Sequence, residues 1–585
     1  MKNYFKYIVL IIISFTSCLF TYYFNKSNFV LISSIIFFYS FYFYNTILKK
    51  MKNENKSMNL VVMIFSLLFS LFFMFGYNLE NFDIINFDHV LIICTLSISL
   101  TIFPILLLLC DFLKNKFYIQ EHKISNKKLI IILSTIIFVG SLLIYLAYFP
   151  GLYGYDGGFE LLEFIDKNVQ ITTHFSILYS FIFSSIVKLG NYLFGSYFIG
   201  FALYSALQLI IINVINVFSC YKIYKITNNY VYAIISSIFL AFFPFIKIIE
   251  ISTCQDALFG SFFVLVLIKV YDFIFSTSKK SIKEKSKLFI VTTIFCLFKN
   301  TGFYVLLLYI ILLGIINFKK SKKIILIIML ALLSYKVIEF CEIKIFNAVK
   351  GNSIREISSI PSQQIARTMN LSNNINANEK HLINELYQNL DFNIYEYHSE
   401  ISDNTKGSLN TELLLKNKYK YLKLYFILLY KNPKVFFEAS IFNSLGLWYI
   451  DKKYPDSRMY HPLIESTMLD AKFWNKNYIS IERKSLFTPY ENILTKLVTN
   501  SNWLKIPVIN ILFRPSTYFW TLLLILIIST YEKKKELISY LLLPICFIIS
   551  IFLSPVIIFR YLYPLVISMP LTIIIFLKNK KYTNK

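Results

Sequence analysis

The chain has 585 residues, 56% of them hydrophobic and 16% charged, with a mean hydropathy of +0.59 and a formal net charge of +26. That charge density is too low for a water-exposed surface on so long a chain, and the apolar residues fall in runs of about 20, enough to cross a hydrocarbon core. An ordinary soluble enzyme is thereby excluded, and an all-α polytopic membrane protein is expected. The basic excess is no nucleic-acid signature, because most of it lies in short lysine clusters between apolar runs, where it marks topology.

In chain order, spans are expected near 6–24, 29–47, 58–78, 90–113, 129–148, 197–220, 230–249, 256–276, 324–343, 516–531, 537–553 and 560–577. Ser14–Cys18 has a faint look of a lipoprotein cleavage site, but the apolar run continues past it, which favours an uncleaved anchor. Residues 174–193 are only moderately apolar, and 288–298 and 303–317 read as two short helices broken at Lys299-Asn300-Thr301-Gly302. The lysine clusters at 49–52, 114–128, 222–225, 279–285, 319–323, 533–535 and 578–585 belong on the cytoplasmic side, together with both termini. Loops 79–89 and 249–256 carry acids without lysine and belong outside. Parity holds if 174–193 does not cross fully or if 288–317 forms a hairpin, so about 12 to 14 spans are expected.

Three regions follow: an N-terminal membrane region 1–343 with an outer loop at 149–173, an extracytoplasmic, mainly helical domain 344–514, and C-terminal spans in 515–585. Within the domain, Tyr421–Tyr430, stopped by Pro433, and Val435–Ile450 read as amphipathic helices suited to the outer bilayer surface. Trp448 and Tyr449 suit either simple anchoring or the floor of a binding groove. The eight cysteines lie in or beside apolar runs and the six histidines are scattered, so neither a disulfide framework nor a metal site is expected.

The chemistry concentrates in outer loops. Asp156, Glu160 and Glu163 stand at i, i+4 and i+7, on one face if helical, and read either as a solvated juxtamembrane face or as a cluster that handles a proton. His174 opens the next apolar stretch. Asp256 begins a span, a costly place for an unpartnered carboxylate, and Lys299 sits in a break between helices. All six arginines, Arg355, Arg367, Arg458, Arg483, Arg514 and Arg560, fall after residue 350, against 53 lysines throughout. A guanidinium grips phosphate or carboxylate through two hydrogen bonds, so its use on one side alone points to anion recognition, with Arg367 and Arg560 the leading candidates.

Phe149-Pro150-Gly151, Asp156, Glu160 and Thr172-Thr173-His174 together resemble the GT-C superfamily, the multi-pass glycosyltransferases that use polyprenyl-phosphate sugars. Within it the chain is similar to a group of uncharacterised bacterial membrane proteins whose pattern runs Tyr-Pro-Gly, Asp, Gln, then Thr-x-His-Pro. Phe149, Glu160 and Phe175 depart from it. Further shared stretches are Gln255–Phe259, Lys299–Tyr304, Ser359–Arg367 and Phe559–Pro564, and the likeness covers roughly 130–585.

The resemblance implies a GT-C-like bundle that moves a sugar from a polyprenyl-phosphate donor to an envelope glycan, lipid or protein acceptor on the outer face of the cell membrane. Asp156 would be the general base, with Glu160 and Asp256 beside it. His174, Glu163, Lys299, Arg367 and Arg560 would bind substrate. No cofactor is implied, and a divalent cation held by Asp156, Glu160 and Asp256 is left open. The alternatives are a transporter or flippase for lipid-linked glycans and a non-catalytic envelope-assembly scaffold.

Overall fold

The computed structural model describes residues 45, 56–111, 119–152, 155–276, 280–388, 394–453, 481, 483–498, 502–503, 505–506 and 509–580. The expected spans at 6–24 and 29–47, the Ser14–Cys18 stretch and Arg458 lie outside them. The described residues hold helices and no strand, and the protein is an all-α polytopic membrane protein.

The membrane helices are α1 (Lys56–Phe82), α2 (His89–Asp111), α3 (Asn126–Ala147), α4 (Tyr155–Ile165), α5 (Ile177–Phe194), α6 (Tyr197–Thr227), α7 (Tyr230–Phe242), α8 (Pro244–Ile251), α9 (Gln255–Ile274), α10 (Ile282–Phe298) and α11 (Thr301–Phe346). The 344–514 segment includes α12 (Ser359–Leu371), α13 (Lys418–Lys431) and α14 (Pro433–Asn443), and the described residues close with α15 (Pro515–Tyr531), α16 (Lys535–Phe552) and α17 (Phe559–Lys580). Among the described residues nine helices are long and apolar enough to cross a membrane, or ten when the pair α7 and α8, bent by 59°, counts as one. Pro244 explains that bend, since a proline opens α8 and cannot continue the hydrogen bonding of α7.

Two ends of the bundle are distinguishable by their contacts. At one, the lysine clusters meet: Lys320 pairs with Glu536 at 2.5 Å, Lys222 pairs with Asp272, Lys225 reaches Asn126 at 3.2 Å, and Lys534 donates to the Asn579 carbonyl. At the other end the 344–514 segment is fastened. Thr173 donates to the Val349 carbonyl at 2.9 Å, and Ser402 N–H donates to the Pro555 carbonyl at 2.9 Å.

Two helices depart from simple crossing. In α11, Asn300, which caps its start, accepts a hydrogen bond from Tyr335 at 3.1 Å, and Phe303 lies 5.6 Å from the same ring. A straight helix would separate residues 300 and 335 by roughly 50 Å. The chain therefore reverses at Asn317, where φ is −150° and ψ is 45°, and α11 is two arms. The arm before Asn317 and α10 together make the hairpin that parity allows for 288–317.

Helix α5 also has the composition of a span, yet its packing lays it across the bundle. Phe149 meets Phe198, Tyr145 donates to the Ala202 carbonyl, Ser141 donates to Asn213 and Tyr224 donates to the Ile124 carbonyl, so α6 runs antiparallel to α3 along its length. Along α5, Tyr179 meets Tyr204, Phe183 meets Phe201, and Gly190 abuts Gly200. From residue 179 to 190, α5 thus advances past only the stretch of α6 from 204 back to 200. It crosses steeply and ends where it began, on the side away from the lysines. Residues 174–193 do not traverse, the other option that parity allows.

The amphipathic stretch 421–430 lies inside α13, and Pro433 opens α14. Trp448 and Tyr449 are not a groove floor. Both are buried, Trp448 packs at 5.1 Å against Phe72 of α1, and its carbonyl accepts from Trp520 at 2.7 Å.

Candidate functional site

After α3 the chain turns through Phe149–Leu152. Gly151 has φ +149°, in the region open to glycine, and a Cβ there would lie 2.3 Å from Ser205 Oγ. Leu152 then pairs like a strand with the end of α8: its N–H donates to the Ile251 carbonyl at 3.3 Å, and its carbonyl accepts from Thr253 N–H at 2.9 Å. Gly157 of α4 rests so close to Thr253 that a Cβ would be 2.4 Å from its carbonyl oxygen. These contacts hold the first turn of α4, with Asp156, beside the first turn of α9, with Asp256. Gly260, one turn further along α9, admits the Tyr563 ring of α17, which brings Arg560 alongside Asp256.

The result is one charged cluster at the end opposite the lysines. Arg560 Nη2 lies 2.9 Å from Asp156 Oδ2, Arg560 Nε lies 3.4 Å from Asp256 Oδ2, and Lys299 Nζ lies 2.5 Å from Asp256 Oδ1. Lys299 is the residue that ends α10, and its ammonium stands 4.8 Å from the Tyr561 ring centroid, which Arg560 also approaches at 5.3 Å. Both carboxylates occupy first turns, where the positive end of the helix dipole favours them. Asp156 remains partly open to solvent, while Asp256 and Arg560 are nearly enclosed.

Glu160 is fully buried behind this pair, and neither of its oxygens has a hydrogen-bond partner among the described residues. Burial, then the neighbouring charges of Asp156 and Asp256, hold its pKa well above the usual carboxylate range, with Arg560 and Lys299 pulling the other way. Its surroundings thus favour the protonated form over the charged one.

The remaining candidates have other surroundings. Glu163 accepts from Thr172 N–H at 3.1 Å and Oγ1 at 2.8 Å, and so ties down the loop that follows α4. Burial raises its pKa and those two bonds oppose the rise. His174 is exposed, its ring 4.7 Å from that of Phe175. The neighbouring Asn300 donates to the Thr173 carbonyl at 3.0 Å, which joins this loop to the Lys299 turn. Arg367 is spent elsewhere: fully buried, it meets Glu438 at 3.1 Å, Asp83 at 3.4 Å and Tyr397 at 3.4 Å, and it bolts the 344–514 segment to the turn between α1 and α2. Both Nη atoms are so engaged, and the Nε–H, which has no partner among the described residues, is buried. Arg483 likewise pairs with Glu491 at 2.6 Å, and Arg514 binds the Ile450 and Lys452 carbonyls. Among the described residues no group of three or more His, Cys, Asp or Glu is arranged to hold a metal ion.

Sequence reading missed a second charged pair. Glu250, expected in a solvated outer loop, is wholly buried in α8 and bound to Lys247 at 2.5 Å. Asn216 donates to Glu250 at 2.9 Å, and Tyr563 reaches it at 3.5 Å. Lys247 also donates to Ser141 at 3.1 Å. The available signal was an i, i+3 lysine and glutamate inside an apolar helix. This knot joins α3, α6, α8 and α17 directly beneath the cluster.

A model for a family of unknown function, DUF6020, matches residues 165–585. The chain belongs to this family. The DUF6020 match includes Asp256, Lys299 and Arg560 and begins after Asp156, Glu160 and Glu163, so the cluster combines residues from both sides of its boundary. No curated protein and no solved structure matches the chain.

Proposed function

We propose that this protein is a membrane glycosyltransferase that moves a sugar from a polyprenyl-phosphate donor to a hydroxyl of an envelope glycan, lipid or protein, on the outer face of the cell membrane. The observation that carries the reading is the Asp156–Arg560–Asp256–Lys299 cluster, which gathers two carboxylates and two cations where helices of the bundle end.

In this reading the acceptor hydroxyl attacks the anomeric carbon as the bond to the phosphate oxygen breaks. Asp156, the more open carboxylate, takes the hydroxyl proton, and Arg560 and Lys299 stabilise the charge left on the phosphate. A phosphate drawn to Arg560 competes with Asp156 for the guanidinium. Donor binding thus frees the Asp156 carboxylate to accept the hydroxyl proton. Asp256 holds both cations in place between turnovers. A single displacement inverts the anomeric centre and needs no nucleophilic carboxylate. The lysine clusters, read as cytoplasmic, support taking the opposite end as the outer face.

Transport of lipid-linked glycans is favoured by one feature, the bent α7–α8 pair with Lys247 and Glu250 at its heart, since broken helices with buried charge suit transporters. That pair is fully enclosed and saturated by its neighbours, which suits a fastener better than a passage.

The test uses the full chain in nanodiscs with polyprenyl-phosphate sugars and extracted envelope acceptors. Asp156→Asn is expected to insert and fold but to lose transfer. Transfer at the wild-type rate by that variant removes the assignment. Mass analysis of envelope polymers with and without the protein then names the sugar.

A further inference from the structure

We propose that α13 is a bilayer-surface anchor, seated on anionic lipid headgroups at the end of the bundle that carries the charged cluster. The inference does not depend on sugar transfer. Tyr421, Leu424 and Leu428 form the buried face of α13, where they join a core with Ile383, Leu386 and Phe436. The opposite face is apolar as well. Tyr419, Leu422, Phe426 and Tyr430 are 78%, 50%, 60% and 88% exposed, and Leu415, just before the helix, is 56% exposed. At about 100° per residue these four helix positions fall within one stripe, while Lys418 borders one edge and Lys423 the other. A helix bare in water has no reason to carry two apolar faces, one of them rimmed by lysine.

The position of the helix identifies what covers the stripe. Helix α14 follows α13 directly and is fastened to the turn between two membrane-spanning helices: Glu438 accepts from Ile85 N–H at 2.8 Å and from Arg367. Phe437 lies 5.9 Å from Phe75 of α1, and Lys434 stands 6.0 Å from the Phe87 ring. Phe82 and Phe87 of that turn are themselves exposed, as expected where α1 and α2 leave the hydrocarbon. The aromatic stripe thus continues from the level at which the candidate spans α1 and α2 end. Aromatic rings sit well at headgroup depth, and the lysines beside them match phosphate in anionic lipids.

The experiment places Phe426→Trp in the full chain, reconstitutes it in nanodiscs, and reads the fluorescence added over that of the wild type. Lipids brominated near the top of the acyl chain should quench most of that added signal, and aqueous iodide should not. Quenching should rise with the fraction of phosphatidylglycerol, and that rise should vanish with Lys418→Glu and Lys423→Glu. Tyr430→Trp gives a second, independent reporter. Quenching by iodide would mean a helix bathed in water, and quenching by neither agent would mean that protein covers the stripe. Either result overturns the anchor, and quenching that ignores phosphatidylglycerol overturns its preference for anionic lipid.

Discussion

Arg560 and Asp156 stand 2.9 Å apart although the first belongs to the last helix of the chain and the second to a short helix in its first third. The guanidinium reaches Asp256 as well, and this double reach is what lysine lacks. Arg560→Lys keeps the charge but cannot span both carboxylates. The apparent KM for the lipid donor is expected to rise about tenfold, the equivalent of roughly 1.4 kcal/mol, in steady-state transfer assays. Asp156→Asn is expected to act on kcat instead, by about a hundredfold or more, the usual worth of a general base. Equal effects of both variants on kcat and KM would contradict the division of labour.

Glu160 predicts a pH dependence of stability. Between the ordinary carboxylate range and its raised pKa, the folded chain holds a proton that the unfolded chain has released. Its contribution is complete below that range and is lost as pH rises through the folded pKa, at up to about 1.4 kcal/mol per pH unit. Thermal unfolding of the wild type across that window should show the loss, and Glu160→Gln should flatten it. A slope unchanged by the substitution would place the proton elsewhere.

Removing Arg367 takes from the buried Glu438 its nearer and fully buried cation, leaving the half-exposed Lys434 at 3.7 Å. Breaking a buried pair from one side costs about 3–5 kcal/mol, so Arg367→Ala is expected to lower the thermal midpoint sharply while the donor KM of the surviving folded protein stays at the wild-type value. A specific rise in donor KM would return Arg367 to the phosphate site.

Lys247 and Glu250 test whether the knot beneath the cluster carries anything across the membrane. Lys247→Met strands Glu250 and should destabilise. Lys247→Met with Glu250→Leu should recover much of the loss, because a well-packed apolar pair often replaces a buried ion pair at little cost. Retained sugar transfer in the double variant supports a fastener, and transfer lost at full stability would favour the transport reading.

Much of this fold was legible because bilayer thickness imposes its own ruler on the chain. Runs near 129–148, 256–276 and 560–577 correspond to α3, α9 and α17. Asp156, Asp256, Lys299 and Arg560 were legible for a related reason: a charge at the edge of an apolar run is costly, and these four relieve that cost with one another. Composition was silent where direction mattered. Helix α5 is apolar enough for a span, and only its contacts with α6, from Tyr179 on Tyr204 to Gly190 on Gly200, reveal that it lies across that helix. The reversal at Asn317 was better marked, by the lysine cluster at 319–323 that separates the apolar stretches 303–317 and 324–343. Arg367 misled because its residue type states what it can bind and says nothing of the acids that reach it first, one of them from a loop far earlier in the chain.

The turn between α10 and α11 bears on how the protein is made. Lys299 lies at the end of the bundle opposite the lysine clusters, so in the orientation of the proposed function, with those clusters cytoplasmic, biosynthesis carries a cation through the bilayer at the tip of two apolar arms, against the usual retention of positive charge. Asp256 precedes it in synthesis and waits at the destination. In that orientation the carboxylate serves as a landing partner for the nascent hairpin, and a chain with Asp256→Ala is expected to suffer error at the moment of insertion, before any folded property is at stake.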